Sequence, residues 1–489
     1  MTKSPAGRDR FRASPQFRDG RFHNTAGVSA DLQGTSLPVL RDFFFGGRKR
    51  VPRIVIPVES PLATWSSPPA SGLRITWLGH STLFIEVDGV RVLTDPVFGP
   101  RASPFPFAGP KRFHRVPATV AELPPFDVVL LSHDHHDHLN PSSVRALASR
   151  RVPFVTSLGV GARLVRFGVD PALITELDWW ESYTLPGQSL TFTAAPAQHF
   201  SGRSLFDRNT TLWSSWVLAT PQRRLFFSAD TGLTDELREI SQRLGPFEVS
   251  MIEIGAWHPS WGAIHLGPAG AMRAYDLLGG AERAGAFLPI HWGTFDLALH
   301  PWDEPVETLL GIADPAGVRV LTPVLGAPIE PATGDASERW WRTAPAAVRE
   351  SSLPVMAVLM AAVIIATGMM SRELGLHTAT ARFRDASGWL MVIAPGLLHP
   401  AVWRRGKWAW SVFRDIGMGW LVALPALFAL TYRDYGPRMF GGRSGDMTPG
   451  RLLIGALLAG ILFGIVGLGV ATLVRTAPRL FGQTAKLEA

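Results

Sequence analysis

Residues His133-Asp134-His135-His136-Asp137-His138 put candidate metal ligands at the spacing H-x-H-x-D-H, directly after the apolar run Val128-Val129-Leu130-Leu131. Imidazole nitrogens and carboxylate oxygens packed this densely can feed two adjacent cations, and two cations beside a water make a hydrolase. A histidine-rich turn can also be an exposed loop, so the reading depends on what lies downstream. Three further apolar runs end in the same residue types: Leu190 to Ala195 leads to His199, Arg224 to Ala229 to Asp230, and Gly285 to Ile290 to His291. A lone histidine after a strand is ordinary; four strand-like runs each delivering His or Asp at their carboxyl ends make a metal centre. His133, His135 and His199 would form a three-nitrogen site, and Asp137, His138 and His291 the second. Asp230, with two carboxylate oxygens, is the natural bridge. These donors suit two Zn²⁺, with Fe or Mn equally able to take N and O ligands. Cations about 3.5–4 Å apart would activate a bridging hydroxide for attack, with Asp137 and Asp230 in the catalytic set. The chain has no cysteine, hence no thiolate nucleophile and no disulfide.

The elements that must position these ligands are short apolar runs broken by turn residues. Leu73 to Leu78 and Leu83 to Val87 read as strands joined at Gly79-His80-Ser81, and Arg91 to Thr94 as another, stopped by Asp95-Pro96. A site built at strand ends is rigidly held. His80 lies near that edge in a supporting or structural role. Asp95 either orients a ligating imidazole or merely opens the turn. Asp134 and His136 fall off the favoured spacing and are expected to face solvent. His114, among Lys111, Arg112 and Arg115, reads as a solvated basic face.

At 489 residues the chain exceeds one ordinary domain. Residues 1–60 form a basic arm, either wrapped on the catalytic domain or touching anionic lipid through Phe43-Phe44-Phe45. Residues 61–330 form the hydrolase domain and 331–351 a linker. Residues 352–476 are expected to form a transmembrane helical region and 477–489 a tail. Pro354 to Met370 and Leu452 to Val474 are uncharged and long enough to span a bilayer; Ile416 to Tyr432 and Gly388 to Trp403 are further candidates, giving three or four helices. Slightly more Arg and Lys flank the inner side when the catalytic domain is cytoplasmic, which sets the expected location as a multi-pass membrane protein facing the cytoplasm. The net charge of +8 suits an anionic partner. Nucleic acid, a phosphate ester and an acidic membrane surface all fit that balance.

The motifs resemble those of the metallo-β-lactamase superfamily and, within it, the N-acylphosphatidylethanolamine-hydrolysing phospholipase D group. The resemblance runs from about Arg21 to Val320. Its longest strings are Thr76 to His80, Leu93 to Phe98, Arg101 to Pro104 with Gly109 to Phe113, Glu176 to Glu181, and Ile290 to Phe295. It implies an α/β fold, the four-layer αββα sandwich, here followed by an all-α membrane domain. It also implies a zinc-dependent phosphodiesterase that releases phosphatidic acid and the head-group alcohol. Its ligand pattern falls on His133, His135, Asp137, His138, His199, Asp230 and His291. His265 falls where the family has a pocket histidine facing the phosphate or leaving group, so it is a candidate catalytic and substrate-binding residue. The acidic residues that typically follow are replaced by Gly267, Ala269 and Gly270. Trp257 and Trp261, flanking His258 and Pro259, are the best tryptophans to line the substrate cavity. Two other functions fit the same residues: a hydrolase of a soluble phosphodiester or lactone, and a membrane transporter or receptor module regulated by a fused hydrolase domain.

Overall fold

The structure is a computed structural model, and it describes residues 7–27, 50–105, 109–204, 206–258, 263–333 and 338–345. The chain divides into two units, Met1–Ala347 and Val348–Ala489, and every described residue lies in the first. The expected transmembrane runs, the tail and Phe43 to Phe45 lie outside the described residues. Among the described residues no helix is long and apolar enough to cross a membrane.

Among the described residues, fifteen strands form three sheets. A hairpin, β1 (Phe17–Arg18) and β2 (Arg21–Phe22), belongs to the N-terminal arm. A seven-stranded sheet has the order β15-β3-β4-β5-β6-β7-β8, from β3 (Leu73–Gly79), β4 (Thr82–Val87), β5 (Val90–Thr94), β6 (Val128–Leu131), β7 (Phe154–Ser157), β8 (Ile174–Leu177) and β15 (Pro328–Ile329). A six-stranded sheet has the order β14-β13-β12-β11-β10-β9, from β9 (Ser182–Thr184), β10 (Thr191–Ala195), β11 (Ser215–Ala219), β12 (Arg224–Phe227), β13 (Val249–Glu253) and β14 (Ala286–Ile290). The strands expected from sequence are all present.

Period-two side-chain alternation divides the first sheet between two cores. Leu73, Ile75 and Trp77, then Leu83, Ile85 and Val87, then Val128 and Leu130 face the core shared with the second sheet. Leu78, Phe84, Leu93, Val129 and Leu131 face the opposite side, under Val144, Leu147 and Leu164 of the helices Pro141–Ala148 and Gly161–Arg166. The second sheet is covered by the helices Glu236–Leu244, Gly267–Leu277 and Glu304–Ala313 through Leu237, Ile240, Met272, Tyr275, Val306 and Leu309. The layers therefore run helix, sheet, sheet, helix, as expected. Burying both faces also buries a charge row: Arg74 and Glu86 sit opposite each other in β3 and β4 and are hydrogen-bonded, and Glu86 also accepts from Arg91 Nε of β5 at 3.1 Å. Each of these charges meets its partner rather than an apolar face.

Strand direction gathers the ligands. β5 through β8 run parallel, so Asp95 and the His133 cluster leave the sheet at one edge. β12, β13 and β14 are parallel, and β10 points the same way because β11 is antiparallel to both of its neighbours. His199, Asp230, Glu253 and His291 thus lie at the matching edge of the second sheet.

Leu130 is fully buried between the sheets at the base of the histidine loop. Leu130→Ala is expected to cost about 2–5 kcal/mol of stability, read as a lowered midpoint in denaturant unfolding.

Candidate metal centre

The seven expected ligands converge. His133, His135, His199 and Asp230 each place a ligand atom within 4.8 Å of the others, and so do His80, Asp137, His138 and His291. His135 Nδ1 lies 2.9 Å from His133 Nε2 and 3.2 Å from His199 Nε2, and His138 Nε2 lies 3.2 Å from His291 Nε2. Asp230 stands between the sets, its Oδ2 3.1 Å from His138, 3.6 Å from His199 and 3.8 Å from His133, its Oδ1 3.1 Å from His291.

The outer nitrogens fix the rings. His199 donates from Nδ1 to Ile264 O at 2.9 Å, and His138 from Nδ1 to Asp95 Oδ2 at 2.7 Å. Ser132 Oγ donates to Asp95 Oδ2 at 2.7 Å, which leaves it to accept from His133 Nδ1 at 2.9 Å. One carboxylate, Asp95, therefore orients an imidazole in each set, and of the two roles left open for it this is the one its bonds perform. With Nδ1 committed outward, the Nε2 lone pairs of His133 and His199 meet Nδ1 of His135. At most one proton, on His135 Nδ1, can lie among these three converging nitrogens, and a cation among them would satisfy all three. Asp230 Oδ1 completes no hydrogen bond among the described residues. A buried oxygen so left over, beside imidazole donors and no thiolate, fits a dinuclear cation site.

Charge sorts the two halves. Burial and neighbouring imidazoles hold His133 well below the usual histidine range; burial does the same at His199, and also lowers His135. Burial opposes charge at His291 too, yet Asp230 and Asp137 lift it to about 10, and Asp230 and Asp137 likewise raise His138 well above its ordinary value. Burial works against ionised Asp230 and Asp137, but His138 beside them holds both carboxyls well below the usual range. Without metal, the imidazoles of the first set favour the neutral, ligating form, whereas His138 and His291 of the second favour the protonated one.

The supporting residues are largely new. His80 has φ +57°, Asp95 +34° and His291 +65°, so three non-glycine residues of the site occupy the left-handed region, at a cost of order 1–3 kcal/mol each. His80 donates from Nε2 to Asp137 Oδ2 at 3.0 Å; burial, with His291 beside it, pushes its ring down to about 3. It is thus within ligand reach as well as supporting a ligand. Glu253 ends β13 as the other ligands end their strands; its Oε1 accepts from Thr231 N and Leu266 N and its Oε2 from His265 Nδ1 at 2.7 Å. The strand-end rule that found Asp230 would also have found it. Asn24, from the N-terminal arm, donates to His199 O at 2.8 Å and accepts from His199 N at 3.0 Å. No local signal marks Asn24, whose partner lies 175 residues on.

His265 lies beside the centre, its ring 5.4 Å from His291 and 4.9 Å from His199. Trp257 is half-buried against Gly267, where an added Cβ would meet its ring at 2.8 Å, and Trp261 lies outside the described residues. A small cleft at the metal edge is lined by Trp292 and Trp302 with Phe113, Phe295, Leu297, His80 and His291. Trp257 packs its ring on the start of the helix Gly267–Leu277. Two surface expectations also change. Asp134 is fully buried, because the loop after His199 folds over it. Arg112 and His114 are buried too: Arg112 bridges to Phe295 and donates to Val97 O and Gly99 O, while Lys111 and Arg115 stay exposed.

A beta-lactamase superfamily domain matches residues 90–292. An uncharacterized protein of Mycobacterium tuberculosis is 43% identical over 334 residues, covering 67% of this chain and 88% of the relative. N-acyl-phosphatidylethanolamine-hydrolyzing phospholipase D 1 of Caenorhabditis elegans is 38% identical over 254 residues, 49% of this chain and 70% of the relative. The mitochondrial N-acyl-phosphatidylethanolamine-hydrolyzing phospholipase D of Saccharomyces cerevisiae is 33% identical over 264 residues, 51% of this chain and 54% of that protein.

Because His291 holds a proton up to about pH 10 and must lose it to ligate, the two halves should load differently. Metal uptake by the His133–His135–His199 half is expected to change little with pH near neutrality. Uptake by the other half should strengthen as pH rises and release about one to two protons. Calorimetric titration in buffers of different ionisation heat reads this; equal proton release at both steps would contradict it. Asp230→Asn should weaken both steps.

Proposed function

We propose, for a chain that belongs to the beta-lactamase superfamily of metal-dependent hydrolases, that it is a phosphodiesterase of phospholipase D type. Its substrate is an N-acylphosphatidylethanolamine-like phospholipid, cut to phosphatidic acid and the head-group alcohol. The observation that carries the reading is the double ligand set around Asp230 in a chain 38% identical to a phospholipase of that name.

His133, His135 and His199 would hold one cation and Asp137, His138 and His291 the other, with Asp230 between them. Zn²⁺ suits these donors, and Fe or Mn would take the same positions. Bound there, two cations lower the pKa of a water and neutralise the charge that grows on the phosphate. The chain supplies the rest. Asp95 fixes ring tautomers, and the left-handed turns at His80 and His291 aim the donors. Burial disfavours a charged His265, but Glu253 more than offsets it and raises the ring above its ordinary range. With Nδ1 held by Glu253, Nε2 is the atom able to pass a proton to the departing alkoxide.

The uncharged runs at 354–370 and 452–474 support a membrane anchor, with the catalytic unit on the cytoplasmic side. A lipid substrate confined to the same bilayer would then meet the site at raised local concentration.

Full-length protein given vesicles of N-acylated phosphatidylethanolamine should release phosphatidic acid, and chelator should abolish the release. Turnover of soluble phosphodiesters alone would reject the lipid reading. His265→Ala is expected to lower kcat by about 10²–10⁴ while metal content, read by elemental analysis, stays unchanged.

A further inference from the structure

The H-x-H-x-D-H stretch has two sides. His133, His135 and Asp137 face the candidate metal centre; Asp134 and His136 face a second set of partners, which come from the loop that carries His199 and, with Arg163, from the helix Gly161–Arg166. Asp134 is fully buried, and its Oδ1 accepts from Gly202 N at 2.8 Å and its Oδ2 from Arg163 Nε at 3.3 Å. Arg203 reaches across the whole loop: Nη1 donates to Asp134 O and to Leu139 O, the latter at 2.9 Å. Its Nη2 donates to His136 Nδ1 at 2.8 Å. With Nδ1 accepting, His136 carries its proton on Nε2, which donates back to Arg203 O at 3.2 Å. Arg203 is held in turn by Asp207, whose Oδ1 accepts from Arg203 N at 3.0 Å and whose Oδ2 accepts from Arg163 Nη2 at 2.8 Å.

We infer that Arg203, with His136 and Asp134, is a clamp that fixes the separation between the His133–His135 pair and His199. It is a set of positioning residues for the first cation, acting from the face opposite the metals. The geometry is specific to arginine. A planar fork joins Asp134 O, Leu139 O and the His136 ring at once, and an ammonium group has neither the fork nor the reach to hold all three. The pair with His136 is reciprocal, side chain to side chain and side chain to backbone, so either half lost frees the other. Gly202 and Arg203 follow His199 by three and four residues, so tension at the clamp is felt at the ligand.

The test uses full-length protein stripped and reloaded with Co²⁺, whose absorption reports ligand geometry. Arg203→Ala and His136→Ala should weaken binding at one of the two sites about 10–100-fold and alter its spectrum, while leaving the other site as in the parent. Arg203→Lys should not restore it. His136→Asn, whose Oδ1 can stand where Nδ1 stands, should. If Arg203→Ala fails to fold, the His136 pair decides alone, since that ring is only half-buried. Two parent-like binding steps and a parent spectrum in His136→Ala would overturn the clamp, as would equal weakening at both sites or no rescue by Asn. The readout is metal binding rather than lipid turnover, so the clamp stands or falls separately from the proposed substrate.

Discussion

Three buried imidazole nitrogens that converge within hydrogen-bond distance share at most one proton, and a cation is what would satisfy all of them; this is the constraint on which the molecule is organised. His133, His135 and His199 converge at hydrogen-bond separations with their outer nitrogens already committed or turned inward. Nothing in the ligand loops relaxes that convergence. Asp95 and Ile264 O hold rings from outside, and the strands below end in step because their directions agree. The two sheets exist, functionally, to bring two edges of different strands to one line. Their cores are apolar on both faces, so a slip of one residue would move every side chain from the core it fits into the opposite one.

The same economy explains why strain collects there. His80, Asp95 and His291 adopt backbone angles that side chains usually avoid, and each lies where a strand turns abruptly to present its donor. His291 N also donates to His80 O at 3.1 Å, so two of the three strained turns are tied to each other. Stability of the sandwich offsets the cost locally.

Much of this was readable in the chain. The ligands are legible because strand ends are, and strand ends are because apolar runs of four to six residues stop at turn formers. The sidedness of Asp134 and His136 was not legible: alternation suggests that what faces away from the metals faces water, and only the fold of a loop sixty-odd residues on says otherwise. Arg112 and His114 were misjudged for a related reason. Basic residues read as solvated by type, whereas here the guanidinium finds carbonyls and the face of Phe295 at 4.8 Å. Asn24 had no signal at all, since its meaning lies wholly in its distance along the chain from His199.

That distance has a consequence for how the protein is made. Synthesis runs from the amino terminus, and folding units generally form as they emerge. The arm with Asn24 leaves the ribosome early, but its partners, the backbone of His199 and the carbonyl of Asn209 that receives Phe22 N, appear only after most of the first sheet has been translated. The arm therefore waits for these later-made residues before it can dock. Docking of the arm is then a late assembly event, and it closes over a ligand rather than over an empty surface.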